Sequence, residues 1–181
     1  MTNHIDELAA QVSKERDFDA PPLHLWEPPL SGDIDIEIDR EGRWYHEGTH
    51  IERESLVRLF ASILRRESDG EYYLVTPVEK WRIRVPFYPL LVVDVEEQVN
   101  AEGEVQLDAV LNTTKVVPIV DEDALFLDPA ADHIAALRLP HGLTALFSRA
   151  AWYRLVERAE ESAEGPCVVS GGRRFSLSPP G

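Results

Sequence analysis

His46-Glu47-Gly48-Thr49-His50 spells H-E-x-x-H, a stretch with the spacing of a catalytic zinc site. In zinc proteases that spacing works only on a helix. One helical turn puts both imidazoles on one face and leaves the glutamate free as a general base. Here Gly48 sits in the centre, and the β-forming pair Trp44-Tyr45 stands just before it. Thr49 and Glu52 also have the spacing of a capping box for a helix that starts after the motif. The local context is that of a turn, so the match reads as accidental. A metal-dependent hydrolase using His46, Glu47 and His50 is kept as an alternative function.

A second stretch carries binding chemistry. Lys80-Trp81-Arg82-Ile83-Arg84-Val85 alternates cationic with apolar residues, which predicts a strand with Trp81, Ile83 and Val85 inward and Lys80, Arg82 and Arg84 outward. Thr76 offers a hydroxyl, and Phe87 and Tyr88 follow closely. Guanidinium plus aromatic groups suit a phosphate- and base-bearing ligand, through charge-assisted bonds and stacking. The candidate ligand-binding residues are therefore Thr76, Glu79, Lys80, Arg82, Arg84 and Phe87. Glu79 also reads as a salt-bridge partner of Lys80. The competing reading is a solvated edge strand guarded by positive charge. No residue is assigned a catalytic or metal-binding role. Nothing in the sequence brings Cys167, His141 and an acid together as a triad. No glycine-rich phosphate loop is spelled, and no cofactor is expected.

These groups need elements to hold them. A short amphipathic helix is predicted over 3–16, then an extended proline-rich arm to residue 32. Residues 33–39 alternate strictly, with Ile34, Ile36 and Ile38 inward, and pair back on Arg43-Trp44-Tyr45. The outward aspartates read as solvent-facing. Leu56, Leu59, Phe60, Ile63 and Leu64 predict a helix over 53–67, stopped at Asp69-Gly70. A hairpin over 72–85 follows. Further strands are expected at 90–95, 104–111, 115–120, 124–127 and 134–139, a meander curled into a partial barrel. A second helix is expected over 149–161 with Ser148 as cap, then a last hairpin around Gly171-Gly172. The two helix-plus-hairpin units match at a spacing of 96 residues, Arg53 with Arg149 and Leu59 with Leu155. The domains expected are an N-terminal helix and arm over 1–32, an α+β domain over 33–88 and a β-rich domain with a helix over 89–181.

The 181 residues are 44% apolar with four tryptophans, enough for a packed core. The formal charge of −15 excludes nucleic-acid binding through a general basic surface. Residues 85–132 hold eleven acids against Lys115 alone. Cys167, the single cysteine, excludes an internal disulfide and reads as a buried small hydrophobe. No signal peptide or membrane span is spelled, so the expected location is cytoplasmic.

The stretch Leu74 to Lys80, L-V-T-P-V-E-K, resembles the bacterial domain-of-unknown-function family 1285. So do Trp44, Gly48, Ile51 and Arg53, and the run Leu56 to Phe60. The likeness is specific from about Trp26 to Phe87. Where that family usually has a proline, this chain has His50. The resemblance implies a two-part α+β protein with related halves, the second like a pleckstrin-homology barrel. It also implies a signalling or ligand-sensing role and no catalytic residue. The expected function is a non-catalytic module binding a small anionic, nucleotide-like ligand between its halves. The alternatives are the hydrolase above and a pure protein-interaction scaffold.

Overall fold

The computed structural model describes residues 4–12 and 20–181. Residue 3 and residues 13–16, the ends of the predicted first helix, lie outside that set. The chain forms two compact units, 1–87 with 141–143 and 88–140 with 144–181.

The first unit starts with α1 (His4–Val12), which buries Ile5, Leu8 and Val12 at helical spacing. A short 3-10 turn, Leu23–Leu25, marks the proline-rich arm. Then come β1 (Leu30–Ile38), β2 (Trp44–His46), β3 (Thr49–His50), α2 (Glu54–Ser62), β4 (Leu64–Arg66), β5 (Tyr72–Val75) and β6 (Lys80–Arg84). They make one six-stranded sheet in the order β3-β2-β1-β6-β5-β4. All neighbours are antiparallel except β1 and β6, which pair parallel at the centre. The alternation in β1 sorts as its sequence requires: Ile34, Ile36 and Ile38 are buried. They belong to a core with Trp44, Phe60, Leu64, Leu74 and Ile83, in which the Trp44 and Phe60 rings stack 6.2 Å apart.

The second unit repeats that plan. It runs β7 (Leu90–Val99), β8 (Val105–Leu111), β9 (Val116–Pro118), β10 (Leu125–Asp128), β11 (Ile134–Arg138) and β12 (Thr144–Phe147). The sheet order is β9-β8-β7-β12-β11-β10, again with only the central pair, β7 and β12, parallel. The first strands begin at Leu30 and Leu90, the fourth at Leu64 and Leu125, and the sixth at Lys80 and Thr144. The two sheets thus match at a spacing of about 60 residues. After β12 come α3 (Arg149–Val156) and a small antiparallel sheet of β13 (Glu160–Ser162), β14 (Gly165–Ser170) and β15 (Arg173–Ser176).

The fold class is α+β as expected, with several corrections in detail. The sheet of the second unit, expected as a curled antiparallel meander or partial barrel, is open and mixed, with its central pair parallel. The helices predicted over 53–67 and 149–161 are both too long at their C-termini. The α2 helix stops at Ser62, whose hydroxyl donates to the Leu59 carbonyl, and Leu64–Arg66 pairs with β5 as a strand. The α3 helix stops at Val156, and Glu160–Ser162 pairs with β14. Asp69-Gly70 therefore turns a hairpin and does not end a helix. The capping box is also absent. Thr49 lies in β3, and α2 begins after Arg53 with no side-chain cap. By contrast, the Ser148 hydroxyl caps α3 at the Ala151 amide, as its sequence requires. The helix-plus-hairpin likeness at 96 residues is local only. The shared strand order pairs different elements, and in it α2 has no helical counterpart between β9 and β10.

Candidate functional site

The outward face of the first sheet gathers Lys80, Arg82 and Arg84, three of the six residues singled out from sequence. Residues opposite one another in a sheet point to the same side. Asp33, Arg82, Tyr73 and Arg65 therefore form one row across β1, β6, β5 and β4. Arg82 grips Asp33 with two bonds, from Nε at 2.8 Å and Nη2 at 3.0 Å. Arg84 donates to Asp35 at 2.6 Å and to Glu37 at 3.2 Å. These bonds lower the pKa of the Asp33 carboxyl and raise those of the Arg82 and Arg84 guanidinium groups. At the other end of the face, Lys80 Nζ lies 3.0 Å from a Glu67 oxygen and 4.8 Å above the Tyr73 ring. Burial works to raise the Glu67 pKa, but bonds from Arg65 and Lys80 outweigh it and hold the carboxyl ionised. Tyr73 donates to Asp69 at 2.6 Å, and chiefly that bond raises its pKa to about 12.

The two ends of the face differ in access. The Lys80 side chain is only 17% exposed, while those of Arg82 and Arg84 are 42% and 60% exposed. Two open hollows adjoin at the exposed end and share Glu37 and Arg84. One, of about 300 Å³, is lined by Asp35, Glu37, Asp39, Tyr45, Gly48 and Arg84. The other, of about 380 Å³, includes Asp33, Glu71, Arg82 and Pro86.

The edge-strand reading of β6 is corrected by its place at the centre of the sheet. Its cations guard no edge; Arg82 and Arg84 answer the acids of β1, and Lys80 answers Glu67. Glu79 is not the partner of Lys80. Its carboxylate accepts a bond from the Trp81 indole at 3.4 Å. The Thr76 side chain is buried, and its oxygen accepts bonds from the Val78 and Glu79 amides in the β5–β6 turn. Phe87 lies half-buried beneath the Arg40 guanidinium.

The H-E-x-x-H residues form a hairpin. Glu47 and Gly48, both at positive φ, make its two-residue turn. His46 lies opposite Thr49, and His50 lies opposite Tyr45. The two imidazoles thus point to opposite faces of the ribbon, where a helix would align them. Among the described residues no group of three or more His, Cys, Asp or Glu is arranged to hold a metal ion. Cys167 is buried and unpaired. No helix among the described residues is long and apolar enough to cross a membrane, which leaves strands unaddressed.

Sequence reasoning missed the partners. Asp33, Asp35 and Glu37 face solvent as expected, but they also hold Arg82 and Arg84, and the hairpin residue Tyr45 lines a hollow beside them. The usable signal was complementary charge. Two strands, each with one wet face, carry acids and bases at the same period of two.

Two family models divide the chain between them. The N-terminal domain of the domain of unknown function DUF1285 matches residues 21–86, and the C-terminal domain of the same family matches residues 89–177. No curated protein matches the chain. A crystal structure of a DUF1285 protein from Silicibacter pomeroyi is 36% identical with a TM-score of 0.78, covering 93% of this chain and 92% of that one. A second, from Shewanella baltica, is 34% identical with a TM-score of 0.56, covering 67% of this chain and 90% of that one. With both family models matched in order and a relative alike over nearly its whole length, the chain belongs to the DUF1285 family.

Proposed function

We propose that the protein is a non-catalytic, cytoplasmic binding module that takes a small anionic, nucleotide-like ligand at Arg82 and Arg84. The site is the outward face of the first sheet, with the Tyr45 ring as a wall. One observation carries this reading. Arg82 already holds an oxyanion, the Asp33 carboxylate, in the two-bonded geometry by which arginine takes a phosphate. Exposed pairs of this kind are weakly held and exchange partners readily. The rows through the centre of the second sheet need no such charges. They read Leu90, Ala145, Leu137, Leu125 and Leu91, Leu146, Ala136, Phe126. The ladder is therefore an addition to a shared plan, not a demand of it.

The carboxylates limit what enters. Asp35, Glu37 and Asp39 surround Arg84 and repel a triphosphate, so the ligand carries one anionic group beside its ring. A thermal-shift screen with nucleoside mono- and triphosphates tests this. A saturating monophosphate should raise the Tm by several degrees. Arg82→Ala and Arg84→Ala should each lose most of that rise. Lys80→Ala, which removes a cation held on Glu67, should change the Tm but keep the response. If no ligand stabilises the wild type, or all three variants respond as it does, the protein is not this kind of module and a scaffold role takes its place.

A further inference from the structure

Arg84 is held through one side of its guanidinium group. Its Nε donates to a Glu37 oxygen at 3.2 Å and its Nη2 to an Asp35 oxygen at 2.6 Å. Two parallel N–H groups, fixed on one planar guanidine, thus meet one oxygen from each of two carboxylates. Asp35 and Glu37 are two residues apart on β1, so both point to its outward side. Tyr45 lies opposite Glu37 and stands on that side too. All three line the hollow of about 300 Å³ with Arg84.

Moving Arg84 onto a phosphate strips Asp35 and Glu37 of that donor pair. Among the described residues neither carboxylate receives another hydrogen bond. Two neighbouring carboxylates without a cation repel each other, so a ligand that brings only an anion gains little. A ligand that brings an anion and a guanidine-like donor pair restores bonds to both. Asp33, which Arg82 releases, is 65% exposed and is left to water.

Among the RNA bases only guanine carries such a pair. Its N1–H and the amino group on C2 are adjacent, parallel donors on a planar guanidine unit. Adenine and cytosine set their amino group beside an acceptor nitrogen, and uracil sets its one N–H between two carbonyls. Resting on the nucleotide site described above, we propose that its base is guanine. The N1–H and the C2 amino group replace the Arg84 donors on Asp35 and Glu37, the ring stacks on Tyr45, and Arg84 joins Arg82 on the phosphate.

Isothermal titration of the full chain with guanosine, inosine, adenosine, cytidine and uridine 5′-monophosphates tests this. Inosine differs from guanosine only by lacking the C2 amino group. Guanosine monophosphate should bind at least about 10-fold more tightly than inosine monophosphate, through one charge-assisted bond, and more tightly still than the other three. The double variant Asp35→Asn, Glu37→Gln should cut that preference to about a third, since bonds to a neutral acceptor are about half as strong. Equal binding of guanosine and inosine monophosphates by the wild type would overturn the proposal and leave a nucleotide site of another preference. So would a preference that survives undiminished in the double variant. Binding of none of the five would overturn this proposal and the nucleotide site together.

Discussion

The two six-stranded sheets share strand order and the parallel pair at their centre, yet they treat that pair in opposite ways. In the first, β1 and β6 face outward with Asp33, Asp35, Glu37, Lys80, Arg82 and Arg84. In the second, β7 and β12 meet through Leu90, Leu91, Val92, Ala145, Leu146 and Phe147, and α3 packs on these two strands. Two acids of β7 answer arginines at or just past that helix, Asp94 with Arg154 and Glu97 with Arg158. One plan thus has a covered apolar centre and an open charged one. Charge on a central strand is expensive to bury and easy to solvate, so the first sheet keeps its ladder in reach of water. The contrast leaves exposed charge on the first sheet and apolar packing on the second.

The largest expected effect tests whether the first sheet also has an apolar face that carries its stability. Ile36 is fully buried, and Ile36→Ala should destabilise by about 2–5 kcal/mol, lowering the Tm by roughly 5–15 °C in a thermal melt. An unchanged melt would mean that the inward face of β1 is not a core. A middle-sized effect comes from Tyr73, which stands opposite Arg82 in the charged row. The folded pKa of Tyr73 is raised to about 12 from an ordinary value near 10. A raised value favours the protonated phenol, so its stabilising bond to Asp69 is intact below pH 10 and lost as pH rises through about 12. The melting temperature of wild type minus that of Tyr73→Phe should shrink over that interval. A difference that holds constant across it would show that the bond is unimportant. The smallest effect is expected from making the first ladder like the second. The double variant Asp33→Val, Arg82→Leu should shift the Tm by no more than about 3 °C, because exposed pairs contribute little. The same variant should lose the nucleotide response, and keeping it would separate the ladder from binding.

Much of the local structure was legible in the sequence. The strict alternation of 33–39 and of 80–85 fixed which side of each strand is wet. Ser148 marked the start of α3, and Gly171-Gly172 marked the turn between β14 and β15, where both glycines have positive φ. What could not be read was which strands meet. The pairing of β1 with β6 joins residues 49 apart, and nothing local announces it. The helix ends failed for a related reason. Leu64 is buried equally well at the i+8 position of a helical stripe from Leu56 or as a strand residue opposite Leu74, so periodicity does not decide between them. Tertiary pairing does. The likeness of the two units lies in strand order, which leaves no local mark, and not in the helices, whose periodicity is the most conspicuous pattern.

The parallel centre of the first sheet also has a kinetic meaning. Hairpins form in microseconds, but β1 and β6 bracket every other strand of their sheet and meet only after a long loop closes. Asp33, Arg82 and their neighbours are strangers until that step. A nascent chain that has made β2 but has not yet emitted β6 holds only the acids of these β1–β6 ion pairs, so the charged ladder is completed all at once and late.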